Sequence, residues 1–177
     1  MFNLGSTEPV VGKASVSISS PPEEVFEFIG VNFFINYPKW SPEVIKLERL
    51  TDGPVQLRTL ARQVRVDQGR RSESKFRVTK FEVCKCICFA GLSDPYRCTY
   101  NLQSLAPDNA TRLTFTFELL EIPAFVRPFE KLARVALREG AERTVNNIKR
   151  LIEAPVTGAD FRAAGESQSG KYDSSLE

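Results

Sequence analysis

Tyr96 and Tyr100 are the residues best placed to do chemistry. They stand four apart in an alternating stretch, so on a strand both hydroxyls leave the same face. Two phenols on one face can polarise a carbonyl or donate to an enolate, with Lys85 or Arg58 near the mouth of a site to stabilise developing negative charge. Cys98 lies between them and has no obvious activator: the chain contains no histidine. That absence removes His triads, His-ligated metals and His general bases. No inward Asp or Glu is evident as a general base. Each tyrosine therefore keeps three readings: ordinary core residue, hydrogen-bond donor to a ligand, or catalytic group.

Cys84, Cys86 and Cys88 alternate as strand neighbours do, and the spacing matches neither a disulfide framework nor zinc-binding C-x-x-C turns. They are read as free or buried thiols, and no metal or cofactor is called for. The net charge of +2 and pI near 8.4 fall short of a nucleic-acid footprint. No run has the ~18 uninterrupted apolar residues of a membrane span, and the first twelve residues lack the pattern of a secretory signal. The expectation is a cytosolic protein with one domain, which 177 residues and 42% hydrophobic content can fill; nothing in the composition fixes an oligomeric state.

The element that must position these side chains is a long helix, Pro128 to Glu153. Phe129, Leu132, Ala133, Ala136, Leu137, Gly140, Ala141, Thr144, Val145, Ile148, Leu151 and Ile152 form its apolar stripe, with charged residues between. At about 1.5 Å per residue it would run about 40 Å, enough to cross a small sheet. Gly140 has two readings: close packing on a strand, or, with Ala136 and Ala141, space for a bound molecule.

Ahead of the helix, residues 1–12 read as a tether and 13–19 as a half-buried strand. Ser20-Pro21-Pro22-Glu23 supplies a helix start, with Ser20 as N-cap and Glu23 closing a capping box, and Gly30 can end that helix. A second short helix and rigid turn follow, packing Trp40 between Pro38 and Pro42. Residues 44–50 read as a strand. Residues 57–66 and 71–81 form a hairpin through Gln68-Gly69, with Ala61 opposite Phe76, Thr59 opposite Val78 and Gln63 opposite Ser74. Residues 84–89 and 96–105 form the next hairpin, with Phe89 opposite Tyr96, Ile87 opposite Cys98 and Lys85 opposite Tyr100; Cys84, Cys86 and Cys88 fall on the outer side. In the last strand Leu113, Phe115, Phe117 and Leu119 point inward. Residues 154–177 are small and polar and are expected to be mostly disordered. The fold class is α+β: a curved antiparallel sheet of about seven strands wrapped around the C-terminal helix, with two short helices after the first strand.

Five stretches in this order carry a resemblance: Ser19-Ser20-Pro21-Pro22-Glu23-Glu24-Val25-Phe26, Trp40-Ser41-Pro42-Glu43-Val44, Phe76-Arg77-Val78-Thr79-Lys80-Phe81-Glu82, Thr111-Arg112-Leu113-Thr114 and Ile148-Lys149-Arg150-Leu151-Ile152-Glu153. Over residues 14–153 the chain resembles the START-like or helix-grip superfamily (SRPBCC), of the polyketide cyclase/dehydrase and lipid-transport type. It departs from that pattern at Val83, where proline is common, and at Asn109-Ala110, where glycine commonly precedes Thr-Arg. The resemblance implies a ligand-binding domain over residues 13–153, with a hydrophobic cavity between sheet and helix.

The residues expected at that cavity are Tyr37, Trp40, Thr59, Gln63, Phe76, Tyr96, Cys98, Tyr100, Phe115, Phe117, Leu132, Ala136 and Gly140. Apolar bulk with sparse polar groups is how small-molecule pockets are built. The first reading is a carrier or sensor of a lipid, polyketide or isoprenoid. The alternatives are a polyketide cyclase, dehydratase or aromatase, and an interaction module of the quinone-chaperone or co-chaperone type.

Overall fold

The computed structural model describes residues 8–121 and 127–155. Seven strands form one antiparallel sheet: β1 (Val10–Ile18), β2 (Val44–Arg49), β3 (Leu60–Asp67), β4 (Arg70–Glu82), β5 (Cys86–Gly91), β6 (Tyr96–Leu105) and β7 (Ala110–Leu119). Their order is β1-β7-β6-β5-β4-β3-β2, so β1 and β2 are its edges. After β1 come α1 (Pro22–Phe26), a π-type turn (Glu27–Val31) and α2 (Phe33–Trp40); a short 3-10 turn leads into α3 (Glu130–Ile152). This is the expected α+β helix-grip arrangement.

The α3 helix lies chiefly along β1 and β7. A Cβ on Gly12 would overlap the backbone carbonyl of Leu137, so Gly12 is where strand and helix make their closest approach. Strand β1 therefore begins at Val10 and takes in the end of the expected tether. At the far end of α3 the Lys149 ammonium donates to the Ser17 carbonyl (2.6 Å) and the Ser19 N–H donates to Glu153 Oε1 (2.7 Å). Between them Ala141, Val145 and Ile148 are fully buried against a core that includes Ile18, Val25, Ile29, Leu102 and Leu113.

The β3/β4 hairpin turns on two residues. Gln68 and Gly69 both take left-handed backbone (φ 50° and 80°), the turn whose twist matches paired strands. Ala61 faces Phe76 and Gln63 faces Ser74 as counted from the sequence. Strand β3 starts only at Leu60: Gln56 to Thr59 form a turn, with Arg58 at φ 72°. Thr59 still neighbours Val78, whose N–H donates to the Thr59 carbonyl (2.9 Å).

The β5/β6 register differs from expectation by two residues. Phe89 pairs with Cys98 and Ile87 with Tyr100. The turn is displaced by one residue along the chain: β5 runs on to Gly91, where a Cβ would overlap the Asp94 carbonyl, and the Leu92 N–H reaches across to the Lys75 carbonyl (2.9 Å). A shift of two keeps each side chain on its face. On that outer face Cys86 and Cys88 are nevertheless buried between longer, exposed neighbours such as Asn101 and Lys80, and Cys88 Sγ accepts from Thr99 Oγ1 (3.4 Å). All four cysteines are free thiols.

The first helix also departs from the sequence reading. Pro21 is the N-cap of α1, no side chain caps it, and Pro22 takes the first helical position. Ser20 contributes its carbonyl instead, accepting from Thr111 Oγ1 (2.7 Å). Gly30 does not end the helix; it sits in the π-type turn, tight against the Phe26 ring. The expected disorder of residues 154–177 falls, from residue 156 on, outside the described residues, as does the tether before residue 8.

Candidate functional site

A cavity of about 670 Å³ lies between the sheet and the middle of α3. Its inner wall is aromatic. Phe33 stacks on Phe89 (ring centroids 4.5 Å apart) and on Tyr37 (4.8 Å), Tyr100 lies against Phe115 (4.7 Å), and Tyr96 stacks on Phe117 (5.7 Å). Alternation supplies these rings from β4, β5, β6 and β7, and α2 adds Phe33, Tyr37 and Trp40. The helix side is bare by comparison. A Cβ on Gly140 would meet only the Arg143 guanidinium, at 3.8 Å, so Gly140 faces open space and is not a close-packing glycine.

One wall carries a directed chain of hydrogen bonds. Arg65 Nη1 donates to the Tyr37 hydroxyl and to Ser41 Oγ (both 3.1 Å), Tyr37 donates to Gln63 Oε1 (3.1 Å), and Gln63 Nε2 donates to Ser74 Oγ (3.1 Å). The remaining edge of the guanidinium is held by Asp67 (3.1 and 3.2 Å). Since Arg has no acceptor, the direction of the chain is fixed from its charged end. The indole N–H of Trp40 is buried with no acceptor among the described residues, and Tyr100 packs against that ring.

Burial governs titration here. It pushes the Tyr37 phenol up to about 12 against the opposing pull of Arg65. It also raises Tyr96, Tyr100 and the Cys98 thiol, with neighbouring ionisable groups adding to each. Burial works against the charge on Arg65, yet the surrounding Tyr37, Asp67 and Glu43 outweigh it and the guanidinium stays charged. The three phenols are neutral donors and acceptors at ordinary pH, and the thiol is no nucleophile.

The rim is polar. Exposed Asp67, Glu73, Asp94 and Arg143 line the cavity together with Glu43 and Arg65, so among the described residues carboxylates outnumber guanidiniums four to two. These acids stand at the rim, with Glu73 bonded to Arg62 and Asp67 to Arg65, and none is buried in the aromatic wall. Lys85 and Arg58 do not line the cavity; Arg65 and Arg143 stand where they were expected. The signal for Arg65 was available, since it shares the inward face of β3 with Ala61 and Gln63.

Of the residues singled out from the sequence, Tyr37, Trp40, Gln63, Phe76, Tyr96, Cys98, Tyr100, Phe115, Phe117, Ala136 and Gly140 line this cavity. Thr59 does not: it is buried in the turn before β3, where its hydroxyl accepts from the Gln56 N–H (3.0 Å). Leu132 does not either, being 68% exposed on α3.

The family described as polyketide cyclase / dehydrase and lipid transport matches residues 10–153. No curated protein gives a match. Among solved structures, the chain is similar to a protein from Thermus thermophilus at 21% identity and a TM-score of 0.64, covering 83% of this chain and 99% of that one. It is similar to the Zhui aromatase/cyclase from a Streptomyces species at 16% identity and a TM-score of 0.65, covering 86% and 98%. A polyketide-cyclase-like protein from Corynebacterium glutamicum is 17% identical with a TM-score of 0.59, covering 91% and 99%. At such identities the structural likeness speaks for the fold. With the match running from the first strand to the end of α3, the chain belongs to the polyketide cyclase/dehydrase and lipid-transport family.

Proposed function

We propose that this protein binds an uncharged hydrophobic small molecule, a lipid, polyketide or isoprenoid, between the sheet and α3, as a cytoplasmic carrier or sensor. The observation that carries the reading is the cavity itself: about 670 Å³, aromatic on the sheet side and lined by Ala136 and Gly140 on the helix side. That volume suits a drug-sized molecule, with the Tyr37–Gln63–Ser74 chain to orient it. A rim with more carboxylates than guanidiniums disfavours a ligand whose exposed end is anionic. The phenols and thiol stay protonated, which suits holding a ligand better than abstracting a proton.

The cyclase or dehydratase reading has one observation in its favour. Arg65 donates to Tyr37 on the cavity wall, and a charged donor behind a phenol strengthens the acid that would polarise a carbonyl. The interaction-module reading, in which a cavity is secondary, has no comparable observation in its favour.

The test is native mass spectrometry of the protein purified from its own host, followed by denaturing extraction. A defined uncharged molecule at near-stoichiometric amount is expected. An apo mass, together with no thermal shift on screening neutral lipids, quinones and aromatic polyketides, would contradict the proposal. Tyr100→Phe and Tyr37→Phe then separate carrier from cyclase: binding survives in a carrier, whereas turnover would fall by about 10²-fold or more if either hydroxyl is the acid.

A further inference from the structure

Strand β2 is an edge of the sheet, and among the described residues one side of its backbone is unpaired. The Leu50 N–H donates to the Leu60 carbonyl (2.9 Å). The two-residue phase of an antiparallel ladder then turns the backbone of Glu48 toward Arg62 and that of Lys46 toward Val64. The N–H and C=O groups of Leu47 and Arg49 therefore point away from the sheet, and no described backbone group bonds to them. Such an edge accepts a further strand unless something blunts it.

Edges protected by charge repel a second copy through like charges, whereas β2 alternates in sign. Lys46 and Glu48 share the convex face, where Glu48 pairs with Arg62 (2.6 Å). In two antiparallel copies related by a two-fold axis through Leu47, the outward groups of Leu47 exchange hydrogen bonds with their own counterparts. Ile45 then faces Arg49, and Lys46 faces Glu48 twice. The Lys46/Glu48 pairs fall at the closely spaced, non-hydrogen-bonded positions of the ladder, where side chains interact most strongly. Ile45 (59% exposed), and Ile35 (66% exposed) on the adjoining α2, add apolar area beside the strand.

We infer that two copies of this chain associate through β2 into one continuous sheet, an isologous interface in which the strand is complementary to itself. The test is sedimentation equilibrium of the full chain from micromolar to millimolar concentration, on wild type, Lys46→Glu, Glu48→Lys, the double variant and an equimolar mixture of the two single variants. A monomer–dimer equilibrium is expected for wild type. Each single change replaces two attractive pairs by two repulsive ones and should weaken it by about tenfold or more. The double variant restores the pairs with signs exchanged, and the mixture restores them between unlike chains, so both should associate within a few-fold of wild type. A wild type monomeric throughout, single variants that dimerise undiminished, or a mixture that fails to associate would overturn the inference. The mixture makes the result independent of any loss of stability, because a misfolded variant could not rescue its partner.

Discussion

The two halves of α3 carry the same apolar pattern and meet different surroundings. In the C-terminal half Ala141, Val145 and Ile148 are wholly buried, and Lys149 and Glu153 tie the end to β1. In the N-terminal half Leu132 (68%) and Val135 (44%) are exposed, as is Phe129 (59%) in the turn just before it, while Ala136 and Gly140 face the cavity. One half is an anchor and the other is the wall of a vessel. A periodic stripe records where a helix is able to bury surface; whether it does depends on what the sheet places opposite.

The largest expected effect lies in the anchored half. Ile148→Ala should cost about 2–5 kcal/mol in urea denaturation, as for a fully buried aliphatic side chain, whereas Leu132→Ala should change stability by no more than about 0.5 kcal/mol. Comparable losses at the two positions would erase the distinction between the halves.

Glycines sharpen the comparison. Gly12→Ala should destabilise by about 1–3 kcal/mol, because its Cβ meets the Leu137 backbone and neither strand nor helix can move away cheaply. Gly140→Ala has open space and a helical backbone, so it should stabilise by up to about 1 kcal/mol. Thermal melts of the two variants shifting in the same direction would show that Gly140 is packed after all.

A smaller effect comes from pH. Tyr37 is raised from its ordinary value near 10 to about 12, so the folded state holds a proton that the unfolded state releases first. Its contribution is complete below pH 10 and is lost as pH rises from about 10 toward 12. Stability should therefore decline through that window, and Tyr37→Phe should make the decline shallower. Tyr96, Tyr100 and Cys98 act in the same direction, so some slope will remain.

Much of this architecture was legible because strand pairing follows counting rules. The β3/β4 register followed from Gln68-Gly69 alone, since a two-residue turn leaves no freedom. The β5/β6 register did not, because β5 keeps pairing with β4 as far as Gly91 and Leu92, which moves the turn one residue along the chain by a means the local sequence does not display. Faces survived the error, which is why Phe89, Cys98 and Tyr100 were still assigned inward. Arg65, absent from the residues expected at the cavity, illustrates a different failure: it shares the inward phase of Ala61 and Gln63, but a charge there is tenable only with partners. The partners that make its position tenable, Tyr37, Ser41 and Asp67, come together only in the folded chain. Leu132 and Gly12 were misread for a related reason. Periodicity assigned Leu132 to a stripe with nothing opposite it, and Gly12 has meaning only once Leu137 is brought against it.

The proposed ligand would occupy the space in front of Gly140. The most direct measurement is native mass spectrometry of wild type and Gly140→Leu purified side by side from the same host, with unfolding curves to establish that both are folded. A bound hydrophobic molecule is expected in the wild type and its loss, by about tenfold or more in occupancy, from a Gly140→Leu protein of equal or greater stability. A variant that keeps the molecule at undiminished occupancy, or a wild type that carries none and takes up none from a neutral-lipid and polyketide screen, would contradict the proposal.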